Sequence, residues 1–547
     1  MKLKTLKNML LAAVPALLVT SCAKKLDLYP QNDLTPATTY ATADGYKSVL
    51  AKVYGTLAIT GNQGPAGQPD IAGGLDEGSQ VAFIRGFFNC EELPTDEAVV
   101  AWNDQTIHDF HNLAWTSADP FLKGMYARPI YDITLANEYL RESTDAKLAS
   151  RNITGADAAD IKKSRAEVRF LRAFNYWVML DIFGKSTYIT EEDQIGTSLP
   201  KEISRTDLFN YIESELKAID GDLAPAKTIE YGRVDQSAEW ALLARLYLNA
   251  QVYIGQPKWT EAVTYASKVI GAGYQLLSGY NKLFMADNDK ETAEIIWAIN
   301  CDGLHTQAYG NTTFFVHAPS GDDHNDYGVG GGWNGYRATS ALATLFPKDG
   351  SGNIDTTGDK RGTAFYTSKF KATAAQVAIA DVSDFSNGLH VKKYVNIRSD
   401  GGAVSDVTNT FADVDFPVFR LSEMYLIYVE AFLRGGAGAD GTTALNYLNK
   451  IRYRAYGDSY GPGNAGQLTM GDLTLQTVLD ERGRELFWEG HRRTDLIRYG
   501  LLTSGTYLWP WKGGVASGTA VDDKYNIFAI PATNRTANPN LTQNPGY

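Results

Sequence analysis

Apolar and polar positions recur along most of this chain with the period of an amphipathic helix. Within residues 158–183, Ala166, Phe170, Ala173, Trp177 and Leu180 fall at spacings of three and four, one stripe that predicts a helix stopped by Gly184. Residues 205–219 do the same with Leu208, Ile212, Leu216 and Ile219 inward. From Ala238, the set Trp240, Ala241, Ala244, Tyr247 and Leu248 predicts one helix. Ala262, Tyr265, Ala266 and Val269 predict a second, across a Gly-Gln-Pro turn. Residues 421–454 repeat the scheme, with Tyr425, Val429 and Ala431 before a glycine-rich turn and Ala444, Leu448 and Ile451 after it. Small residues at helix crossings with aromatics packed around them are the tetratricopeptide pattern, here with a longer turn. Residues 476–499 predict one more helical stretch, ended by Gly500. The expected fold is mostly α, with tetratricopeptide-type helix pairs as scaffold and large loop-rich insertions at 55–125 and 300–420. In the second insertion, residues 313–317 form a β-like run, while Trp177, Trp240 and Trp297 sit among apolar residues and are assigned to the core.

The N-terminus breaks this pattern. Lys2, Lys4 and Lys7 precede an apolar stretch from Met9 to Val19, and Thr20 and Ser21 are the small residues that precede a cleavage site. The stretch is too short for a permanent membrane span. Cys22 directly after the site points to a lipoprotein signal over 1–21, lipidation of Cys22, a tether over 22–39 and one folded domain over 40–547. The formal charge of −12 disfavours nucleic acid and broad contact with anionic headgroups. Besides Cys22 there are only Cys90 and Cys301, read as separate buried thiols. The sequence has neither C-x-x-C nor H-E-x-x-H, so zinc has no support, and it lacks a G-x-S-x-G elbow and a phosphate-binding glycine loop. Arg482, Glu485, Glu489, Arg492 and Arg493 are spaced as ion-paired helix faces. Trp333 lies in a glycine-rich loop (residues 327–336) with little bulk to bury it, and Trp102 stands beside Asn103, Asp104 and Gln105. Asp322, Asp323, His324 and Asp326 between them read as a solvated polar loop, and Asp287/Asp289 and Asp413/Asp415 as caps or turns.

Several segments resemble the SusD/RagB family of glycan-binding lipoproteins. The closing NPNLTQNPGY (538–547) and ELFWEGHRRTDLIR (485–498) resemble the family at large. NCEELPTDE (89–97), RLYLNA (245–250), LFMADND (283–289) and YLWPWKGG (507–514) are similar to its starch-binding members. The resemblance implies an α-superhelix built on tetratricopeptide pairs. It also implies non-catalytic capture of α-glucan (starch and maltooligosaccharides) at the outer membrane, and delivery to a SusC-like TonB-dependent transporter. Position by position, it places an aromatic arc on Trp102, Tyr309 and Trp333. The polar partners fall on Arg85, Asp76 and Gln105, with Asn103 close enough to take the place of Gln105. It further implies a structural calcium near Asp289, Asp413 and Asp415, and no catalytic cofactor. Aromatic rings cover the C–H face of a sugar while charged and amide groups satisfy its hydroxyl rim. Tyr309 is equally readable as a packing residue. Two other readings stand beside this one: a binder of a different glycan such as a fructan, and a glycoside hydrolase, for which no carboxylate pair stands out. The residues after Cys22, Ala-Lys-Lys-Leu-Asp, lack the early acidic residues associated with surface export, so the outward-facing orientation rests on the resemblance alone.

Overall fold

The computed structural model describes residues 35–547 apart from 72, 105, 194, 195, 197, 458, 459, 464 and 465. The leader, Cys22 and Gln105 therefore lie outside the described residues. The architecture is helical. Helices α1 (Ala43–Gly55) and α3 (Pro120–Glu142) pack on the long α4 (Gly155–Phe183), which in turn packs on α5 (Arg205–Ile219). The apolar stripe expected of α4 is buried, as is every other residue from Phe170 to Phe183, and Gly184, left-handed at φ 72°, ends the helix. Helix α5 starts at a Ser204 cap and buries Leu208, Ile212, Leu216 and Ile219, as its period predicts. The next pair, α6 (Gln236–Leu248) and α7 (Trp259–Gly271), pack together, and α7 continues onto α8 (Leu421–Leu433). Helix α8 then receives α9 (Gly441–Tyr456) and α10 (Leu475–Leu486). Helix α2 (Phe83–Glu91) packs on α3.

Some expectations change. Residues 476–499 are two helices, α10 and α11 (Arg492–Arg498), because Trp488 and Gly490 adopt φ of 62° and 80° between them. A Cβ at Gly490 would also sit 2.3 Å from the Phe87 ring, so only glycine fits that bend. The run 313–317 is not extended but belongs to a short helix, Thr312–His317, capped by the Asn311 side chain. Trp177 and Trp297 are buried as expected, whereas Trp240 is half-buried and donates its indole N–H to Asp220. Cys90 and Cys301 are free, buried thiols.

Strands are short and matter for what they join. β1 (Val99–Val100) pairs antiparallel with β5 (Tyr336–Arg337), β2 (Ser186–Tyr188) with β3 (Lys201–Ile203), and β4 (Ile295–Ile299) with β6 (Phe416–Arg420). The charges read as helix faces are interior. Arg420, at the end of β6, reaches Glu294 at 3.1 Å, Glu485 at 2.5 Å and Glu489 at 2.6 Å. Glu485 also takes Arg361 at 2.9 Å and Arg454, and Lys393 pairs with Glu489 at 2.5 Å. Burial alone would raise the Glu485 carboxyl, but the guanidinium groups of Arg454, Arg420 and Arg361 outweigh it and hold it well below the usual carboxylate range.

A second set of contacts locks residues 89–97 onto 488–493. Glu92 accepts the backbone N–H groups of Gly490 and His491 at 2.6 and 3.0 Å, and the Trp488 indole donates to the Glu97 carbonyl at 2.8 Å. Arg492 pairs with Asp96 at 2.7 Å and Arg493 with Glu91 at 3.1 Å. Tyr507 donates to Asp96 at 2.7 Å, and Asn544 to the carbonyls of Phe183 and Phe528 at 2.9 and 2.7 Å. These motifs therefore close the fold on itself.

Breaking one member of a buried ion cluster leaves uncompensated charge at a cost of about 3–5 kcal/mol. Glu485→Gln is expected to destabilise the protein by that order in denaturant unfolding at pH 7. Its folded-state carboxyl lies below the unfolded value, so its stabilisation is present above about pH 4.5 and lost as pH falls below it. The gap between wild type and variant should therefore narrow towards pH 3; a gap independent of pH would remove the cluster from this role.

Candidate glycan-binding groove

The β1–β5 pairing carries the site. It continues as Ala101 N–H donating to the Gly335 carbonyl at 2.8 Å, which puts Trp102 beside the 333–335 loop. The Trp102 indole N–H then donates to the Trp333 carbonyl at 2.8 Å. Their ring centroids are 6.4 Å apart and tilted by 47°; Tyr309 follows Trp333 at 6.2 Å and 60°. All three rings are half-buried, so each has a packed side and an open side. The three rings are successive neighbours tilted against one another, not coplanar.

Each ring has its own support. Tyr309 leans on Phe411 with centroids 5.4 Å apart, and Trp102 packs edge-on against Tyr336 at 5.3 Å. Trp333 lies face to face on the His317 imidazole at 4.7 Å. Its loop is pinned along 317–320: the N–H groups of Trp333, Asn334 and Gly335 donate to the carbonyls of His317, Ser320 and Ala318. The glycines around Trp333 do more than leave it uncovered. A Cβ at Gly335 would stand 2.3 Å from the Trp102 indole, so that glycine makes room for the neighbouring ring.

The polar residues gather on one side. Asp76, Arg85, Trp102 and Asn103 line a groove of about 630 Å³, together with Ser79, Gln80, Asp104 and Phe121. Arg85 is held by its burial in α2, with its guanidinium over the rings of Trp102 and Phe314 at 5.2 and 5.1 Å. Its Nε has no hydrogen-bond partner. Asp76 is exposed; its Oδ1 accepts from the Ser79 N–H at 2.7 Å and hydroxyl at 2.6 Å. The structure thus brings together the three aromatics with Asp76, Arg85 and Asn103. His317 and Gln80 carry no sequence signal for the groove, whereas Asp104 stands two positions from Trp102.

Two of the acidic residues between Tyr309 and Trp333 tie their loop to residues 367–368. Asp323 is buried and accepts from Gly321 N–H at 2.9 Å and the Thr367 hydroxyl at 2.7 Å, while Asp326 accepts from Ser368 N–H at 2.7 Å. Near the expected calcium site, Asp413 accepts from the N–H groups of Gly303 and Ser405 at 2.9 and 2.7 Å. Asp415 is buried, accepts from Cys301 N–H at 2.6 Å through Oδ1, and has no partner on Oδ2. Burial pushes its carboxyl up to about 7, and the charges of Asp289 and Asp413 add to the rise. The orphan oxygen fits a cation. Among the described residues, however, no three His, Cys, Asp or Glu side chains converge as a metal cage.

The SusD family profile matches residues 293–547. Over 588 aligned positions spanning 100% of both chains, the sequence is 36% identical to the starch-binding protein SusD of Bacteroides thetaiotaomicron. It is 22% identical to a SusD-like protein of Bacteroides ovatus, across 90% of this chain and 82% of that one. Among solved structures, a SusD superfamily protein from Parabacteroides distasonis superposes with a TM-score of 0.69 at 21% identity, covering 94% of this chain and 100% of that one. Surface glycan-binding protein A of Bacteroides thetaiotaomicron, in complex with laminarihexaose, superposes with a TM-score of 0.65 at 17% identity, covering 92% and 99%. This chain belongs to the SusD family.

Gly335→Ala tests the packing of the platform. Pushing the Trp102 ring aside should cost about 1–3 kcal/mol, the usual range for overpacking, and should change the near-ultraviolet circular dichroism of the coupled indoles. An unaltered spectrum and unaltered stability would mean that Trp102 does not depend on that close approach.

Proposed function

We propose that this protein is a non-catalytic lipoprotein that captures starch and maltooligosaccharides and delivers them to a SusC-like TonB-dependent transporter in the outer membrane. The observation that carries this reading is the platform of tilted rings, Trp102, Tyr309 and Trp333, beside Arg85, Asp76 and Asn103. Tilted rings suit a chain that bends, as an α-linked glucan does, and the full-length relative named as starch-binding points the same way. A fold neighbour was solved with laminarihexaose, so the scaffold itself does not choose the glycan. A fructan or another glucan is the second reading. A hydrolase is disfavoured because a glycosidase general acid needs a desolvated pocket, whereas Asp76 and Asp104 are both exposed. Anchoring rests on Cys22; among the described residues no helix is long and apolar enough to cross a membrane.

Calorimetric titration with maltoheptaose and laminarihexaose tests the reading. Maltoheptaose should bind without release of reducing ends. Trp333→Ala should weaken it by about 2 kcal/mol or more, as loss of a binding anchor does, with little change in melting temperature. Preference for laminarihexaose would move the ligand class, and time-dependent cleavage would overturn the binding role.

We also propose that calcium, where bound, is held from Asp415 with Asp289 and Asp413 nearby. Its charge would offset their repulsion. Added calcium should raise the melting temperature of the chelator-treated protein, and Asp415→Asn should abolish that rise; no shift in wild type would remove the ion from the account.

A further inference from the structure

His317 ends the short helix beneath the platform and is 4% exposed. Its imidazole is nearly parallel to the Trp333 indole, at 18° with centroids 4.7 Å apart. Nδ1 lies 2.6 Å from the Gly331 carbonyl oxygen and Nε2 lies 2.8 Å from the Thr410 carbonyl oxygen. A carbonyl oxygen can only accept. A neutral imidazole has one N–H and satisfies one of these oxygens; the other then faces a lone pair. Only the imidazolium, with two N–H groups, satisfies both at once. In that form it ties the Trp333 loop to the 406–411 segment and presents a cation to the indole face.

We propose that His317 is a positioning residue whose protonated form seats Trp333, so that the groove holds glycan more tightly in mildly acidic than in neutral surroundings. This rests on the glycan-binding reading given above. Two opposing effects set where the change falls. Burial disfavours the charged ring, the two carbonyls favour it, and burial leads, so its pKa lies below the ordinary 6.5. The charged and titratable groups around it are few. His324, in the neighbouring turn, opposes its protonation, and its own Nδ1 lies 2.8 Å from the Val329 carbonyl. From the 406–411 segment comes Asp406, whose carboxylate accepts from the N–H groups of Thr408, Thr410 and Phe411. Tyr309 flanks Trp333, and Arg85 stands beyond Trp102. At neutral pH the ring is therefore mainly uncharged and one carbonyl is unserved. The clamp completes as pH falls through the pKa.

The test is maltoheptaose affinity from pH 5 to 8 in wild type and in His317→Phe, which keeps a flat ring against Trp333 without either N–H. Wild-type affinity should rise by about five- to tenfold towards pH 5, the weight of one hydrogen bond. The variant should stay at the weak end throughout. Nitrogen-15 NMR of the wild-type imidazole should show the second nitrogen gaining its proton as pH falls across the same interval, a readout that needs no variant to fold. A flat wild-type profile, or a single neutral tautomer down to pH 5, would overturn the proposal. Absence of maltoheptaose binding at every pH would sink the starch reading instead. Protonation of His317 would then still be read from Trp333 emission, which an imidazolium stacked on the indole quenches. Quenching towards pH 5 that disappears in Trp333→Phe would sustain the seat, and emission independent of pH would end it.

Discussion

Everything else in this fold hangs on the neutralisation of buried carboxylates by arginine. Glu485 alone draws guanidinium groups from three separate segments, at Arg361, Arg420 and Arg454. Such clusters add little net stability over apolar residues of the same volume, because desolvation consumes most of the Coulomb gain. What they impose is register, since a slipped strand or helix would strand a charge in the interior. The consequence reaches the groove directly. Residues 91–97, fixed by Arg492, Arg493 and the backbone of Gly490, lead within two residues into β1, and β1 delivers Trp102. Arg420 fixes the end of β6, and the chain just before that strand carries Thr410 and Phe411 to the back of the platform.

Helices were readable from the sequence wherever one apolar stripe ran unbroken. The periods of α5 and α7 survive intact because each of these helices buries a single face, whereas α4 from Phe170 onward and α6 keep a readable period although they are buried nearly all round. The break at 487–491 left no such mark. Trp488 is a bulky residue in a left-handed conformation, held there by hydrogen bonds to Glu97, a partner 391 positions away. Charge spacing was equally silent on depth: Glu485 and Arg493 have the same separations whether water or a guanidinium answers them, and here both are buried. The alternation Asp413/Asp415 likewise hides two environments, one carboxylate capped by backbone and one buried with an orphan oxygen.

The groove was legible only in parts. A tryptophan among glycines is conspicuous, and Trp102 beside amide and acidic residues is nearly so. The rest depends on tertiary approach. Nothing local says that Gly335 faces the Trp102 ring, or that a histidine closing the Thr312–His317 helix lies beneath Trp333. The β-branched and aromatic residues of 313–317 even suggest a strand, because a short helix buried on every side shows no single stripe. Asp323 and Asp326 read as part of a solvated polar loop, yet Asp323 is buried and their oxygens are spent on Gly321, Thr367 and Ser368.

The indole N–H of Trp102 and the carbonyl of Trp333 meet across 231 positions of chain. Contacts of such sequence separation carry the loop-closure entropy of everything between them and are characteristic of late steps in folding. Before that step the chain holds three unconnected rings, each able to offer a sugar one weak monovalent contact. On the reading proposed above, they afterwards act on a single oligosaccharide, and the gain is multivalent. Sugar would then have no purchase on the unfinished chain and could not template its own receptor. Affinity, on that reading, arrives as a by-product of completed topology.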